Sequence, residues 1–380
     1  MCIVFFTSSD RYSLIVASNR DEFLARPTTP AAWHDWSLSP EHHTHERTER
    51  NTVLSGQDLE AGGTWFGISV PSDTTTSTSD STPRRRVMRF ATLTNFTETI
   101  PPAARPSRGK LVRDFLDFVH LPLDGSLEPY LAQVEAEKHL YAGFNLLVGQ
   151  LTLLPSSTST NNAVTSTPPE VRLAYISNRE SNPSKHARVL PSLDDDVEGK
   201  GKGKVRGLSN ATLEVEEGEE QWPKVKSGAN AVEGAVEAAA ASSGPASEEE
   251  LVRNLYNALS TAHPSPILHR THLRHTVLVR PLLLDPKAPL PPSAPPLPPP
   301  SLSLPHSSSS PPPDSLPPSV TAGKKEGEDG AHWYATRVQT LLMVERGTGR
   351  VTLREREGYA LDEEGRPRWS GQERVFRLQV

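Results

Sequence analysis

Met1-Cys2-Ile3-Val4-Phe5-Phe6-Thr7, a polar Ser8-Ser9-Asp10-Arg11, and Tyr12-Ser13-Leu14-Ile15-Val16-Ala17-Ser18 form the stretch on which the fold turns. β-branched and aromatic residues fill both runs and a turn-like tetrad parts them, so the two runs predict a hairpin. A hairpin brings the end of its second strand back to the chain terminus. It therefore sets Asn19-Arg20-Asp21-Glu22, directly after the second run, beside Cys2. Once Met1 is lost, which a small second residue permits, Cys2 carries a thiol and a free α-amine. That amine has a reference pKa of about 8, a usable base near neutrality. The thiolate is the nucleophile, and a neighbouring base or positive charge activates it. Asp21 and Arg20 are placed to orient the amine and lower the thiol pKa. The plainer alternatives are a small buried hydrophobe at Cys2 and a solvated turn at 19–22.

Outward from the hairpin, residues 64–70 and 87–94 predict two further strands around a Ser/Thr/Asp tract ending in Arg84-Arg85-Arg86. Residues 107–120 predict an amphipathic helix, with Leu111, Phe115, Phe118 and Val119 on one face. A second helix is expected at 127–140, a strand pair at 144–148 and 171–177, and helices at 222–241 and 248–260. Strands are expected at 275–279, 336–344, 350–355 and 373–378. Helices between two groups of strands suit an α+β fold with a sheet-on-sheet core and outer helices.

Composition separates this body from biased inserts at 71–86, 155–168, 193–204, 214–220 and 281–330; the last holds 16 prolines. Of 380 residues, only 35% are hydrophobic. Removing the inserts leaves 281 residues, and an ordered body of roughly 240 is expected, enough for a single domain spanning 1–380 with disordered loops. A net charge of −6 offers no electrostatic reason to expect nucleic acid or an anionic membrane. The start lacks a secretory pattern, and no run approaches the roughly 18 apolar residues of a transmembrane helix. One cysteine excludes an intramolecular disulfide and fits a reducing compartment, so the expected setting is cytoplasmic. His42, His43 and His45 sit in a charged loop without a metal-ligand pattern, and no metal is expected. The Gly62-Gly63-Thr64-Trp65 turn is a candidate for the mouth of a pocket.

A series of short motifs carries a more specific reading. It runs from Met1-Cys2-Ile3-Val4-Phe5-Phe6 and Ala17-Ser18-Asn19-Arg20-Asp21-Glu22-Phe23 through Gly62-Gly63-Thr64-Trp65-Phe66-Gly67 and Leu93-Thr94-Asn95-Phe96. It continues with Ser107-Arg108-Gly109, Gly143-Phe144-Asn145, Gly207-Leu208-Ser209-Asn210-Ala211, Trp222-Pro223-Lys224 and Thr336-Arg337-Val338-Gln339-Thr340. In order and spacing the series resembles the NRDE family, of the transport and Golgi organization protein 2 type. That family is in turn similar to N-terminal-nucleophile hydrolases, so the resemblance implies an αββα sandwich.

The resemblance implies roles residue by residue. Cys2 matches the nucleophile, Asp21 the carboxylate that orients the amine, Asn95 and Asn210 the oxyanion asparagines, and Arg337 a late arginine closing the pocket. Arg20 departs from the hydrolase pattern, being adjacent to the aspartate rather than a few residues before it. For function the resemblance implies Golgi organisation, protein secretion and haem or lipid (acyl-CoA) handling. The corresponding expectation is a trafficking or homeostasis factor that binds a small apolar or amphiphilic ligand. No cofactor is required, and haem enters as a transported ligand. The alternatives are an N-terminal-cysteine amidohydrolase or acyltransferase, and an interaction protein docking a polyproline-binding partner through 281–330. Golgi, endoplasmic reticulum or mitochondria are the organelles it would visit.

Overall fold

Adjacent residues of the first strand enter different cores. In the computed structural model, Val4 and Phe6 pack with Leu54, Ile68, Met88, Phe90 and Leu147. Ile3 and Phe5 pack instead with Val225, Val232, Leu251 and Leu255. A strand covered on both faces reads as an unbroken apolar run, which is why Ile3–Thr7 lacks polar alternation. The structure describes residues 1–36, 52–70, 86–98, 105–117, 126–153, 157–158, 164–165, 168–182, 185–195, 204–214, 220–241, 246–286, 297 and 332–379.

The chain begins with β1 (Ile3–Thr7), β2 (Tyr12–Phe23), β3 (Ala32–His34), β4 (Val53–Ser55), β5 (Phe66–Ser69) and β6 (Arg86–Asn95). Helices α1 (Gly109–Leu116) and α2 (Glu128–Glu137) follow, the latter ending in a 3-10 turn, Lys138–Leu140. Next come β7 (Phe144–Leu153), β8 (Ser157–Thr158), β9 (Val164–Thr165), β10 (Glu170–Ser177), β11 (Ala187–Val189) and β12 (Arg206–Leu208). After α3 (Pro223–Ala240) and α4 (Ala246–Leu259), the chain closes with β13 (Leu282–Leu284), β14 (His332–Glu345), β15 (Arg350–Glu357), β16 (Tyr359–Leu361), β17 (Pro367–Trp369) and β18 (Glu373–Gln379).

Two seven-stranded sheets result. The first runs β12-β1-β2-β14-β15-β18 with β13 also on β14; the second runs β11-β10-β7-β6-β5-β4-β3. Their facing side chains form one core. Helices α3 and α4 cover the far face of the first sheet. Helices α1 and α2 cover the far face of the second through Leu111, Phe115, Tyr130 and Val134. The fold is mixed α+β, and the strands of both sheets pair antiparallel.

Several expectations are corrected. Asn19 to Glu22 do not follow the second strand; they lie inside β2, which pairs with β14 from Tyr12 to Phe23. Asn19, Arg20 and Asp21 are buried there, so tertiary partners override their turn preference. No strand forms at 275–279. Arg270–His275 is a 3-10 helix, β13 takes the place beside β14, and Val279 is tied to Thr336 by reciprocal bonds of 2.9 Å. The inserts also start or end differently. Leu193 belongs to the inter-sheet core, and Asp194 binds Arg346 and Ser8. Glu214 pairs with Lys185 and Arg188, β8 pairs with β9 inside 155–168, and Leu282–Leu284 forms β13 inside 281–330. The rest of that Pro-rich segment, apart from 281, 285–286 and 297, lies outside the described residues, as do 71–85, His42, His43 and His45.

One buried acid gives the fold a pH dependence. Glu355 on β15 is 4% exposed, accepts from Ala31 N at 2.7 Å, and burial pushes its carboxyl up to about 7. A raised carboxyl binds its proton more tightly in the folded chain. Its contribution is therefore fully present below the unfolded value and lost as pH rises through about 7. Glu355→Gln should remove that slope. Relative to the parent, the variant should gain about 3 kcal/mol between pH 5 and pH 8 in urea unfolding. An unchanged difference at the two pH values would refute the assignment.

Candidate functional site

The hairpin register places Ile3 opposite Asn19, so the first two residues reach Arg20 and Asp21. Successive β2 side chains point to opposite faces. Asn19 faces the helices, donating to Leu259 O at 2.8 Å and Val277 O at 2.9 Å, and so anchors the strand. Asp21 accepts from Thr336 Oγ1 at 2.6 Å, and its other oxygen lies 3.5 Å from the α-amine of Met1. That amine also donates to Tyr334 Oη, whose hydroxyl donates to Asp21 O at 3.0 Å. Lys224, at the start of α3 and fully buried, donates from Nζ to Met1 O at 2.7 Å. Ser209 Oγ donates to Cys2 O at 2.8 Å. The chain start is therefore held from four sides.

Cys2 itself is half-buried and lines a cleft of about 470 Å³ with Arg20, Asp21, Glu22, Arg26, Trp65, Asn95 and Arg108. Thr64 and Trp65 line it next to 105–109, which leads into α1, the two segments meeting where Thr64 N donates to Gly109 O at 3.3 Å. Its guanidinium groups differ in their engagements. Arg26 pairs with Asp58 at 2.8 Å, Arg105 donates to Tyr141 O at 3.0 Å, and Arg108 donates to Gly143 O at 3.0 Å. Arg20 stacks 4.0 Å above Trp65 and lies 3.8 Å from Glu22 through Nη2. Its Nη1 is buried with no hydrogen-bond partner among the described residues.

The electrostatics depart from the sequence expectation. Burial pushes the Cys2 thiol up, outweighing the downward pull of the α-amine and of Arg20. Burial also lowers the Met1 amine, against the pull of Asp21, and takes Lys224 down to about 8.

Four of the six expected residues, Cys2, Arg20, Asp21 and Asn95, meet at the cleft. Asn210 and Arg337 are not among its lining residues. Asn210 Nδ2 donates to Asn95 O, locking the loop after β12 onto the end of β6. Arg337 sits at a register shift of β14 opposite Arg20 and Asp21, which turns its side chain toward Arg26 O and Phe23 O. Burial, followed by the nearby Arg20, takes that guanidinium down to about 10. Lys224, Thr336 and Tyr334 are site residues that sequence reasoning did not single out. Lys224 and Thr336 did stand inside quoted motifs.

A sequence model described as Transport and Golgi organisation 2 matches residues 1–360. The chain belongs to that family. Among its relatives, the bovine (Bos taurus) Transport and Golgi organization protein 2 homolog is 36% identical over 160 residues, 40% of this chain and 46% of the relative. The human (Homo sapiens) homolog is 34% identical over the same span and shares. The match thus covers less than half the length of these curated relatives. No helix among the described residues is long and apolar enough to cross a membrane.

Proposed function

We propose that this family member is a homeostasis or trafficking factor that binds a small amphiphilic anion in the cleft beside Cys2. The observation that carries this reading is Arg20, which lines the cleft, is 6% exposed and stacked on Trp65, and has one buried guanidinium nitrogen without a hydrogen-bond partner among the described residues. A buried donor left unmatched costs about 1–3 kcal/mol, more for a charged group, and an anionic acceptor entering the cleft relieves that cost. The cleft volume falls within the usual range for small-molecule sites. Haem, through its carboxylates, and an acyl-CoA, through its phosphates, both combine an anionic end with an apolar body. The layer order of helices, sheet, sheet and helices supports likening the fold to N-terminal-nucleophile hydrolases. The relatives' names support a role in transport and Golgi organisation, which we place in the cytoplasm at Golgi, endoplasmic reticulum or mitochondrial surfaces.

Titrating the full chain with haem and with palmitoyl-CoA tests the binding reading. Saturable one-site binding by at least one of them, weakening as salt rises, is expected. Failure of both to bind at millimolar concentration would contradict it.

A second reading, an N-terminal-cysteine amidohydrolase, is favoured by one arrangement: Asp21, Thr336 and Tyr334 gather an α-amine next to Cys2. With Met1 gone, the α-amine of Cys2 would be the base, its thiol the nucleophile and Asn95 an oxyanion donor. Intact mass and electrophile labelling decide it. A retained Met1, or an acetylated Cys2, leaves no free Cys2 amine to act.

A further inference from the structure

Met1 occupies a socket that matches each part of it. Its side chain packs against Leu273, Val279 and Leu282, with Ile267, Leu284 and Tyr334 at the edges. Thr97 Oγ1 donates toward its sulfur at 3.2 Å. Its carbonyl oxygen receives Lys224 Nζ, and its amine meets Tyr334 and Asp21. None of these apolar side chains lines the cleft, so the socket is a separate compartment with Cys2 between the two.

We propose that removal of Met1 turns this socket into a binding site for a short unbranched aliphatic carboxylate. The shape argument comes from the box, which holds an unbranched chain between buried aliphatic side chains. The charge argument comes from what stays behind. Lys224 Nζ, fully buried, would lose the Met1 carbonyl oxygen to which it now donates and be left as an ammonium without that acceptor. Such a charge is costly without a partner, and a carboxylate in place of the Met1 carbonyl supplies one. Lys224 would then donate to one carboxylate oxygen, with the Cys2 amine as a second donor. With the Met1–Cys2 bond gone, the Cys2 amine would have to move out to hydrogen-bond distance from the carboxylate; Cys2 precedes β1 and lines the cleft, which leaves room on that side. Hexanoate suits this socket because it follows the methionyl unit from carbonyl carbon to terminal methyl, lacking only the amine and the sulfur. The inference does not rest on the cleft reading, because the residues that carry it are different.

The test compares two forms of the full chain, each verified by intact mass. One is isolated without Met1; the other keeps Met1 because methionine aminopeptidase was inhibited during expression. Calorimetric titration with hexanoate should give one-site binding to the first form and none to the second. Replacing hexanoate by 2,2-dimethylbutanoate or by hexan-1-ol should weaken binding about tenfold or more, separating chain shape from charge. Filling the box with Leu273→Trp should do the same, and Lys224→Met should abolish carboxylate selectivity where it folds. Equal hexanoate affinity in the two forms would overturn the proposal, as would equal affinity for the branched acid.

Discussion

Replacing Arg20 with alanine is expected to weaken binding of an anionic amphiphile by about a hundredfold. The estimate follows from a buried charge-assisted hydrogen bond, about 3 kcal/mol, converted at about 1.4 kcal/mol per decade. Arg20 is the cleft cation with an uncommitted buried donor, whereas Arg26, Arg105 and Arg108 already serve Asp58 and backbone carbonyls. Arg20→Lys keeps the charge but loses the planar stack on Trp65 and the forked donor geometry, so an intermediate loss of about tenfold is expected. Equilibrium titration of parent and both variants with palmitoyl-CoA and haem checks this, with melting curves as the control for folding. Affinity of Arg20→Ala within about threefold of the parent would remove Arg20 as the anchor.

Gly63→Ala should be the most damaging small substitution at the cleft wall. A Cβ at Gly63 would stand 2.4 Å from Gly109 C and 2.7 Å from Gly109 O. Both neighbours are backbone, so no side chain can swing aside. The contact joins the 58–64 turn to the start of α1, where Thr64 N donates to Gly109 O. Relief requires these two cleft-lining segments to separate. The expected loss is about 3 kcal/mol, near the upper end for overpacking, or roughly 6–12 °C in melting temperature. Gly234→Ala, in α3 with open space around the new Cβ, is the matched control and should melt at the parent temperature or slightly above. A Gly63→Ala melting point equal to that control would contradict the close-contact account.

The hairpin was legible because β1 is buried on both faces and its residues are apolar from Ile3 to Phe6. From it followed the meeting of Cys2 with Arg20 and Asp21, a matter of register alone. Asn19 to Glu22 read as a turn because four polar residues in a row carry no strand signature. Only β14, more than 300 residues later, makes them part of a sheet. Asn210 and Arg337 show a different limit. Both lie near the cleft in the chain's path, but the direction of a side chain depends on a neighbouring carbonyl or a register shift that composition does not reveal. Lys224 stood in the quoted Trp-Pro-Lys motif, yet a lysine in a first helical turn ordinarily faces water. The chain start packed above it is what buries it.

Cys2 is the sole cysteine in the 380-residue sequence and lines the cleft, so a thiol reagent that reacts with cysteine reports on that space at a single position. The direct test of the binding account is its alkylation rate with iodoacetamide, measured with and without saturating palmitoyl-CoA or haem at mildly alkaline pH. Occupancy of the cleft predicts that a bound ligand slows alkylation about tenfold or more. An unchanged rate with either ligand bound at saturation would place binding elsewhere and contradict the account.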